Sequence, residues 1–449
     1  MSEQAVEMLP AWTQAEGAAR AAAAFRERFG TDPDGVWSAP GRVNVIGEHT
    51  DYNGGLCLPM ALPHRTYVAL ATRRPPGAAA DGDAASGAAV SGTAVSGTAV
   101  FGAAVFGTAV SDPADPELVR LASAQESGTW EGRLADVAPG SVPGWAAYAV
   151  GVAWALRQDG HAVTGFDAVV DSCVPYGAGL SSSAALECAV AVALDDVHGL
   201  GLAADDAGRA RLAAACIRAE NEIAGAPTGG MDQSASLRCT AGHALLLDNR
   251  DGSTRHIPFD LAAHGLALLV VDTRAPHQLA DGQYAARRAQ CHAAADALGL
   301  PTLREVDDLD AALDRLGEVL PAGTDVDVTR RRVRHVVTDT RRVQEVERLL
   351  DADEVEQVGP VLTAAHASLR DDYEVSVPEL DLAVDAAVAA GALGGRMVGG
   401  GFGGSAIALV RADDVDRVAT AVADAFAAAG FTAPGFLVAT PQAPAGRSA

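Results

Sequence analysis

Apolar and polar positions along the chain follow two periods, one typical of helices and one typical of strands. Residues 12–29, WTQAEGAARAAAAFRERF, carry apolar side chains at helical spacing up to Gly30, which predicts a helix that ends there. Residues 36–47, VWSAPGRVNVIG, read as a strand, a turn and a second strand. Residues 65–74, RTYVALATRR, alternate well enough to predict a further strand.

The central part of the chain contains long apolar stretches of helical period. Residues 144–160 predict one helix, residues 166–172 a strand, and residues 210–225 another helix. Between them, residues 174–201, VPYGAGLSSSAALECAVAVALDDVHGLG, predict a glycine-rich turn that opens a long helix ending at Gly199.

Strand and helix patterns alternate in the second half of the chain. The strand patterns are residues 243–249, 266–273 and 405–412, and the helix patterns are residues 341–351 and 378–391. This alternation favours an α+β layered arrangement. We expect two domains, 1–232 and 233–449, with the last segment packing on the N-terminal domain.

Residues 86–110 repeat a five-residue unit, as SGAAV, SGTAV, SGTAV, FGAAV and FGTAV. A period of five fits neither a helix face nor a strand face. Almost half of the repeat is Gly, Ser or Thr, and it lacks Leu and Ile, which argues against a transmembrane helix. We interpret residues 84–112 as a low-complexity loop insertion that carries no chemistry.

Composition narrows the possible functions mainly by exclusion. The 449 residues carry a formal charge of −25, which would repel nucleic-acid backbones and anionic membranes. The sequence contains no Lys, so a Walker P-loop, a protein-kinase fold and Schiff-base chemistry are all excluded. A bound polyanion would therefore depend on Arg, a metal ion or a helix N-terminus.

The cysteines and the first residues of the sequence indicate the cellular compartment in which the protein works. The six cysteines are scattered without a CxxC pair, which is typical of buried, reduced thiols. The first twelve residues have no basic segment followed by an apolar one, so no secretory signal is predicted. We expect a cytoplasmic protein.

Two stretches concentrate residues that could bind a ligand. Residues 39–55, APGRVNVIGEHTDYNGG, place two carboxylates and an imidazole beside a Gly-Gly pair, which a solvated loop does not need. In residues 176–190, YGAGLSSSAALECAV, glycines and serines precede a helix whose first amides are unpaired. Those amides would suit a triphosphate, with a Ser hydroxyl available to Mg²⁺, but a simple Ser cap explains the pattern equally well.

The glycine-rich residues 398–410, VGGGFGGSAIALV, contain a G-x-G-x-x-G pattern. Here the glycines precede a strand, which argues against a dinucleotide-binding turn. Two interpretations stay open: another backbone packs against this loop, or a phosphate or substrate approaches it closely.

Single polar residues have ordinary explanations when each is taken alone. Asp232 follows two glycines and could be a helix cap. Glu220 lies on a predicted helix and could face either a metal ion or solvent. Tyr284 precedes Arg287 and Arg288 and could be an amphipathic surface aromatic.

Taken in order and at their separations, four motifs resemble the galactokinase branch of the small-molecule (GHMP) kinase superfamily, which also holds homoserine, mevalonate and phosphomevalonate kinases. They are APGRVNVIGEHTDYNGG, GAGLSSSAALE, GGMDQ and MVGGGFGGSAIALV, and the resemblance covers residues 35–440. It implies an α+β fold of two domains, the first like domain 2 of ribosomal protein S5 and the second ferredoxin-like, with the active site in the cleft between them.

The resemblance also implies an activity and the residues that carry it. The activity would be ATP-dependent phosphorylation of the C1 hydroxyl of α-D-galactose, giving α-D-galactose 1-phosphate and ADP, with Mg²⁺ (magnesium) as the metal. This is the first committed step of galactose catabolism, and we expect a monomer to perform it. Asp232 would be the general base and Arg42 the group that stabilises the transition state.

Three further sets of residues follow from the same resemblance. The sugar would contact Glu48, His49, Thr50, Asp51, Asp232 and Tyr284. The ATP phosphates would lie on Gly177, Ala178, Gly179, Leu180, Ser181, Ser182 and Ser183. The metal would be held by Ser183 and Glu220. One departure is Ser405, which stands where many relatives have Cys.

Two alternatives remain open from the sequence. The first is the same chemistry on another sugar, such as N-acetylgalactosamine or arabinose. The second is a kinase-like sensor that binds galactose and ATP without catalysis.

Overall fold

The computed structural model describes residues 6–73, 115–226, 228–275 and 280–449. The expected loop insertion at 84–112, with its pentapeptide repeat, lies outside the described residues. In the parts of the chain that are described, no helix combines the length and the apolar character needed to cross a membrane.

The described residues form mixed sheets covered by helices, which confirms the expected α+β class. The strands are β1 (Glu7–Met8), β2 (Gly35–Asn44), β3 (Leu56–Cys57), β4 (Pro59–Thr72), β5 (Leu118–Ser123), β6 (Thr129–Arg133), β7 (Phe166–Ser172), β8 (His243–Asp248), β9 (Ser253–Pro258), β10 (Leu266–Asp272), β11 (Gly394–Val398), β12 (Ser405–Arg411), β13 (Gly435–Ala439) and β14 (Gly446–Arg447). The helices are α1 (Gln14–Phe29), α2 (Ala146–Gln158), α3 (Ser182–Val197), α4 (Asp206–Arg218), α5 (Met231–Arg238), α6 (Ala280–Leu298), α7 (Leu309–Val319), α8 (Val326–Asp351), α9 (Val358–Asp371), α10 (Pro378–Ala389) and α11 (Val415–Ala429).

A six-stranded sheet in the order β14-β2-β4-β7-β5-β6 supports the first half of the chain. Side chains of β4 alternate between its faces, as a strand requires. Val68 and Leu70 join the core formed with α2 and α3, whereas Tyr67 and Ala69 join the smaller core formed with α1. The sheet is therefore buried on both faces.

The expected turn within residues 36–47 is wrong. β2 runs unbroken from Gly35 to Asn44, and its register against β4 shifts between Pro40 and Arg42. The Pro-Gly pair is absorbed as a bulge, which bends a strand without ending it. Gly41 has to be glycine because a Cβ there would lie 2.6 Å from the carbonyl oxygen of Leu180.

A five-stranded sheet in the order β1-β13-β10-β12-β11 supports the second half. One of its faces carries Leu269 and Val271 into a core with helices that include α10 and α11. The other face carries Leu268 and Val270 into a core shared with residues of β2 and β4. This second core joins the two halves of the chain and fixes the walls of the cleft between them.

Strand pairing also links the two expected domains, 1–232 and 233–449. The boundary between these domains stays a prediction. β3 pairs with β8, and β8 with β9, in a three-stranded sheet. Near the end of the chain, β14 pairs with β2, while β1 pairs with β13 of the other sheet. Each terminal strand therefore ties one half of the chain to the other.

Candidate active site

A cavity of about 340 Å³ between the two sheets collects most of the residues singled out in the sequence. Those that line it are Arg42, Glu48, His49, Asp51, Gly177, Gly179, Ser181, Ser182, Ser183, Glu220, Asp232 and Tyr284. Thr50, Ala178 and Leu180 do not line it.

Arg42 and Asp232 form a bidentate ion pair in this cavity. The Nε atom of Arg42 donates to Oδ1 and its Nη2 to Oδ2 of Asp232, both at 2.8 Å. Its Nη1 donates to the carbonyl oxygen of Gly179 at 2.6 Å. Burial alone would lower the pKa of Arg42, but the charges of Asp232 and Glu48 raise that pKa above its ordinary value. The guanidinium is therefore a fixed positive charge.

Asp232 keeps room for one more hydrogen-bond donor. The Ser181 hydroxyl also donates to Oδ2. An ionised carboxylate has about four acceptor positions, and the bonds from Arg42 and Ser181 use three of them. Because the Asp232 side chain is 24% exposed within the cavity lining, a substrate hydroxyl has access to the remaining position.

The glycine-serine turn leads into α3, whose first amides have no acceptor in the described parts of the chain. Gly177 and Gly179 have φ angles of 73° and 69°, and Ser181 also has a positive φ of 60°. Ser181 precedes the helix, but its side chain makes no capping bond and turns to Asp232. The hydroxyl therefore does not compete with an anion for the amides at the helix start.

His49 is a neutral imidazole with a defined tautomer. Its Nε2 lies 3.2 Å from the carbonyl oxygen of Gly400, which can only accept, so Nε2 carries the proton. Its Nδ1 lies 2.8 Å from the Tyr52 hydroxyl and accepts from it. Burial, with a further contribution from His335, lowers the pKa of His49 to about 3.

Two carboxylates face the same part of the cavity. Glu48 accepts from the Gly399 amide at 2.8 Å and pairs with Arg396 at 3.3 Å. Burial and the charge of Asp232 raise the pKa of Asp51 to about 6. The Tyr284 ring lies 5.3 Å from the His49 ring, measured between centroids, and closes this side.

Thr50 is placed differently from its neighbours. It is fully buried, and its hydroxyl donates to the carbonyl oxygens of Gly47 and Leu56 at 2.9 and 2.7 Å. These bonds brace the turn that presents Glu48, His49 and Asp51, and they leave Thr50 outside the cavity lining.

Ser183 and Glu220 lie together, as the resemblance implies. The Ser183 hydroxyl donates to Oε1 of Glu220 at 3.1 Å. Glu220 lies on a π-helical turn, Ala219–Ala224, that follows α4. Such turns recur at functional sites because they change which side chains face inward. Burial and the charge of Asp232 raise the pKa of Glu220 to about 7.

Two residues missed in the sequence complete this cluster. Gln233 donates to Glu220 at 2.6 Å and to Glu187 at 3.0 Å, and Oε1 of Glu187 is buried with no partner among the described residues. Burial raises the pKa of Glu187 well above its usual range. Glu187 stands one helical turn after Ser183, a spacing that could have revealed it.

A second cavity of about 620 Å³ adjoins the first and was not anticipated from the sequence. The two share Ser182 and Ser183 in their linings. The second one is also lined by Trp145, Tyr148 and Leu186. An aromatic and aliphatic lining suits a flat, apolar ring system. The available signal was the aromatic pair at the start of the predicted helix 144–160.

Comparisons with known proteins agree with this geometry. Three family models match the chain: the galactokinase galactose-binding signature at residues 23–72, the GHMP kinase N-terminal domain at 147–239 and the GHMP kinase C-terminal domain at 347–428.

Individual relatives match over nearly the whole chain. A galactokinase of Streptomyces coelicolor is 50% identical over 94% of this chain and 96% of its own length. A galactokinase of Homo sapiens is 40% identical over 89% of each. The crystal structure of Lactococcus lactis galactokinase complexed with galactose superposes with a TM-score of 0.78 at 28% identity, covering 94% of this chain and 98% of that one.

Proposed function

Since the chain belongs to the galactokinase family of the GHMP kinases and is an ATP-dependent sugar kinase, we propose that it phosphorylates the C1 hydroxyl of α-D-galactose with Asp232 as the base. The observation that carries this assignment is the bidentate pair of Arg42 and Asp232 beside the start of α3. One acceptor position of Asp232 is open to a sugar hydroxyl, and the free amides next to it suit phosphate oxygens.

The sugar occupies the part of the cavity formed by the turn after β2. Glu48 and Asp51 supply acceptors for its hydroxyl groups, and Tyr284 supplies an aromatic wall. His49 is held neutral. Its Nε2–H group donates to the Gly400 carbonyl oxygen and can also donate to a sugar hydroxyl. Thr50 acts indirectly by bracing this turn.

ATP occupies the two adjoining cavities. Its phosphates lie on the amides of the turn at residues 177–183, and its base lies in the cavity beside Trp145 and Tyr148. The shared residues Ser182 and Ser183 mark the passage between the two.

The residues at the cavity's acidic end fit magnesium. Mg²⁺ prefers oxygen ligands and keeps waters and substrate phosphates around it, so one hydroxyl and one carboxylate suffice as protein ligands. Ser183 and Glu220 would hold it, because both line the cavity and the Ser183 hydroxyl lies 3.1 Å from Oε1 of Glu220. The chemistry a bound Mg²⁺ supplies is neutralisation of charge on the phosphate oxygens.

Asp232 and Arg42 have different roles in phosphoryl transfer. The C1 hydroxyl of the sugar donates to Asp232, which accepts its proton as the oxygen attacks the γ-phosphorus of ATP. The bond from that phosphorus to the bridging oxygen breaks, and ADP leaves with the electron pair. Phosphoryl transfer depends mainly on positioning and on neutralising charge. Arg42 provides a fixed cation for that charge and holds the Asp232 carboxylate in one orientation.

We also propose that the enzyme works in the cytoplasm as a monomer. Its six cysteines are free, and five of them are buried, as expected of thiols kept reduced.

The activity and its sugar are tested together by measuring ADP release with MgATP and a panel of galactose, N-acetylgalactosamine and arabinose. We expect turnover with galactose to exceed that with the other two by at least about a hundredfold in kcat/KM. Turnover confined to another sugar would overturn the substrate assignment. Binding of galactose and ATP without ADP release would identify a sensor.

A further inference from the structure

Three successive carbonyl groups in the phosphate-binding turn are each held from the protein side. The oxygen of Ala178 accepts from the Ser405 hydroxyl at 2.7 Å. The oxygen of Gly179 accepts from Nη1 of Arg42 at 2.6 Å, and that of Leu180 from the Arg42 backbone amide at 3.1 Å.

These bonds determine where the amides of the turn point. The described peptide bonds are all trans, and in a trans peptide the N–H group points opposite to the C=O group. The amides of Gly179, Leu180 and Ser181 therefore point away from Ser405 and Arg42. Among the described residues, none accepts a hydrogen bond from these three amides. Successive free amides at the start of a helix form a concave site for an anion.

Ser405 reaches the turn from the other half of the molecule. It is the first residue of β12 and is fully buried, 227 positions away from Ala178. The glycine loop before it packs on the backbone of the turn. A Cβ at Gly404 would lie 3.2 Å from the Ala178 oxygen, and one at Gly399 would lie 2.9 Å from the Gly179 oxygen. Two interpretations were open for the glycine-rich residues 398–410. These close approaches confirm the first of them, in which another backbone packs against the loop.

We propose that Ser405 is a positioning residue for nucleotide binding: its hydroxyl fixes the Ala178–Gly179 peptide so that the Gly179 amide faces the phosphates. Arg42 fixes the next two peptides in the same way while it holds Asp232. The inference rests on the proposed function in taking the phosphates of ATP as the anion.

Loss of the Ser405 hydroxyl leaves the Ala178 carbonyl without its donor. A buried carbonyl without a partner is unfavourable, and the peptide can relieve this by rotating. Rotation is easy because residue 179, on one side of this peptide, is a glycine, and it turns the Gly179 amide away from the anion. Nucleotide affinity then falls, whereas the sugar-binding residues Glu48, His49 and Asp51, to which the Ser405 hydroxyl makes no hydrogen bond among the described residues, stay in place.

The test measures MgADP binding by calorimetry in the intact protein, together with KM for ATP and for galactose. Ser405→Ala should weaken MgADP binding on the order of tenfold and raise KM for ATP similarly, with KM for galactose within about twofold. Ser405→Cys keeps a weak donor and should fall between Ser405→Ala and the wild type. Ser236→Ala is the matched control, because the buried Ser236 hydroxyl donates to a backbone carbonyl, that of Pro40, at 2.8 Å.

Several results would overturn the proposal. One is MgADP binding by Ser405→Ala that equals that of the wild type, and another is an equal rise of both KM values, which would indicate general damage. If Ser405→Ala does not fold, the same comparison is made with Ser405→Cys, and unchanged affinity there counts against the proposal. A wild-type protein that binds no MgADP would instead contradict the proposed function.

Discussion

Acid should destabilise the protein through His49. Burial, with a contribution from His335, lowers the pKa of His49 from 6.5 to about 3. Between these values the unfolded chain binds a proton that the folded protein does not, so the free energy of unfolding rises with pH. His49 therefore has no effect on stability above pH 6.5, and it destabilises the folded protein progressively as pH falls toward 3.

The size of the effect follows from linkage. Each pH unit below 6.5 removes about 1.4 kcal/mol, so the change from pH 7 to pH 5 removes about 2 kcal/mol from this group. That figure needs only a folded pKa well below 5. Because other groups titrate in the same range, including Asp51 with the opposite sign, the relevant quantity is the difference between the wild type and a variant.

His49→Gln removes the titrating ring and keeps an amide that can donate to Gly400. Urea unfolding of both proteins at pH 7 and pH 5, without substrates and at one ionic strength, gives the comparison. The wild type should lose about 2 kcal/mol more than the variant over this interval. His243→Gln, at a histidine outside the cavity lining, is the control for loss of a histidine elsewhere in the protein. Equal losses in the wild type and His49→Gln would refute the reasoning.

Three further substitutions test the electrostatics and the contacts of the site. Asp51→Asn should raise the free energy of unfolding of the substrate-free protein at pH 7.5 by about 1–3 kcal/mol. Burial raises the pKa of Asp51 to about 6, so its charge at pH 7.5 is unfavourable. Urea unfolding that shows no gain in stability would contradict this. Arg42→Lys should lower kcat by about 10²–10³, because an ammonium group cannot reproduce the three hydrogen bonds that the planar guanidinium donates. A loss of kcat under tenfold in steady-state assays would argue against this role of Arg42. Tyr373→Phe should raise KM for galactose about fivefold and leave KM for ATP unchanged. The Tyr373 hydroxyl lies 2.7 Å from the Tyr52 hydroxyl, which in turn orients His49. Equal changes in both KM values would count against this role.

The parts of the site that could be predicted from the sequence depend on local chain geometry. Glycines followed by serines and an apolar helical pattern specify a turn and a helix start within about ten residues, and the structure places them so. Gly30 likewise ends α1 in a left-handed conformation. The helix and strand patterns of the second half also correspond to α8, α10, β10 and β12.

The parts that could not be predicted depend on contacts between distant segments. Gln233 meets Glu187 across 46 positions, and Arg396 meets Glu48 across 348, which no local pattern encodes. The turn expected within residues 36–47 is instead a bulge between Pro40 and Arg42, because a neighbouring strand, β4, continues the pairing past it. The motif predicts a ligand contact for Thr50, although its hydroxyl donates to the backbone carbonyl of Gly47.

The most direct test of the proposed chemistry is the turnover of Asp232→Asn measured beside its substrate affinities. The asparagine keeps the shape of the side chain and an acceptor for Arg42, but it cannot take a proton from the sugar. We predict that kcat falls by about 10²–10⁴ while the dissociation constants of galactose and MgADP change only a few-fold. A kcat close to that of the wild type, with both ligands still bound, would show that Asp232 is not the base.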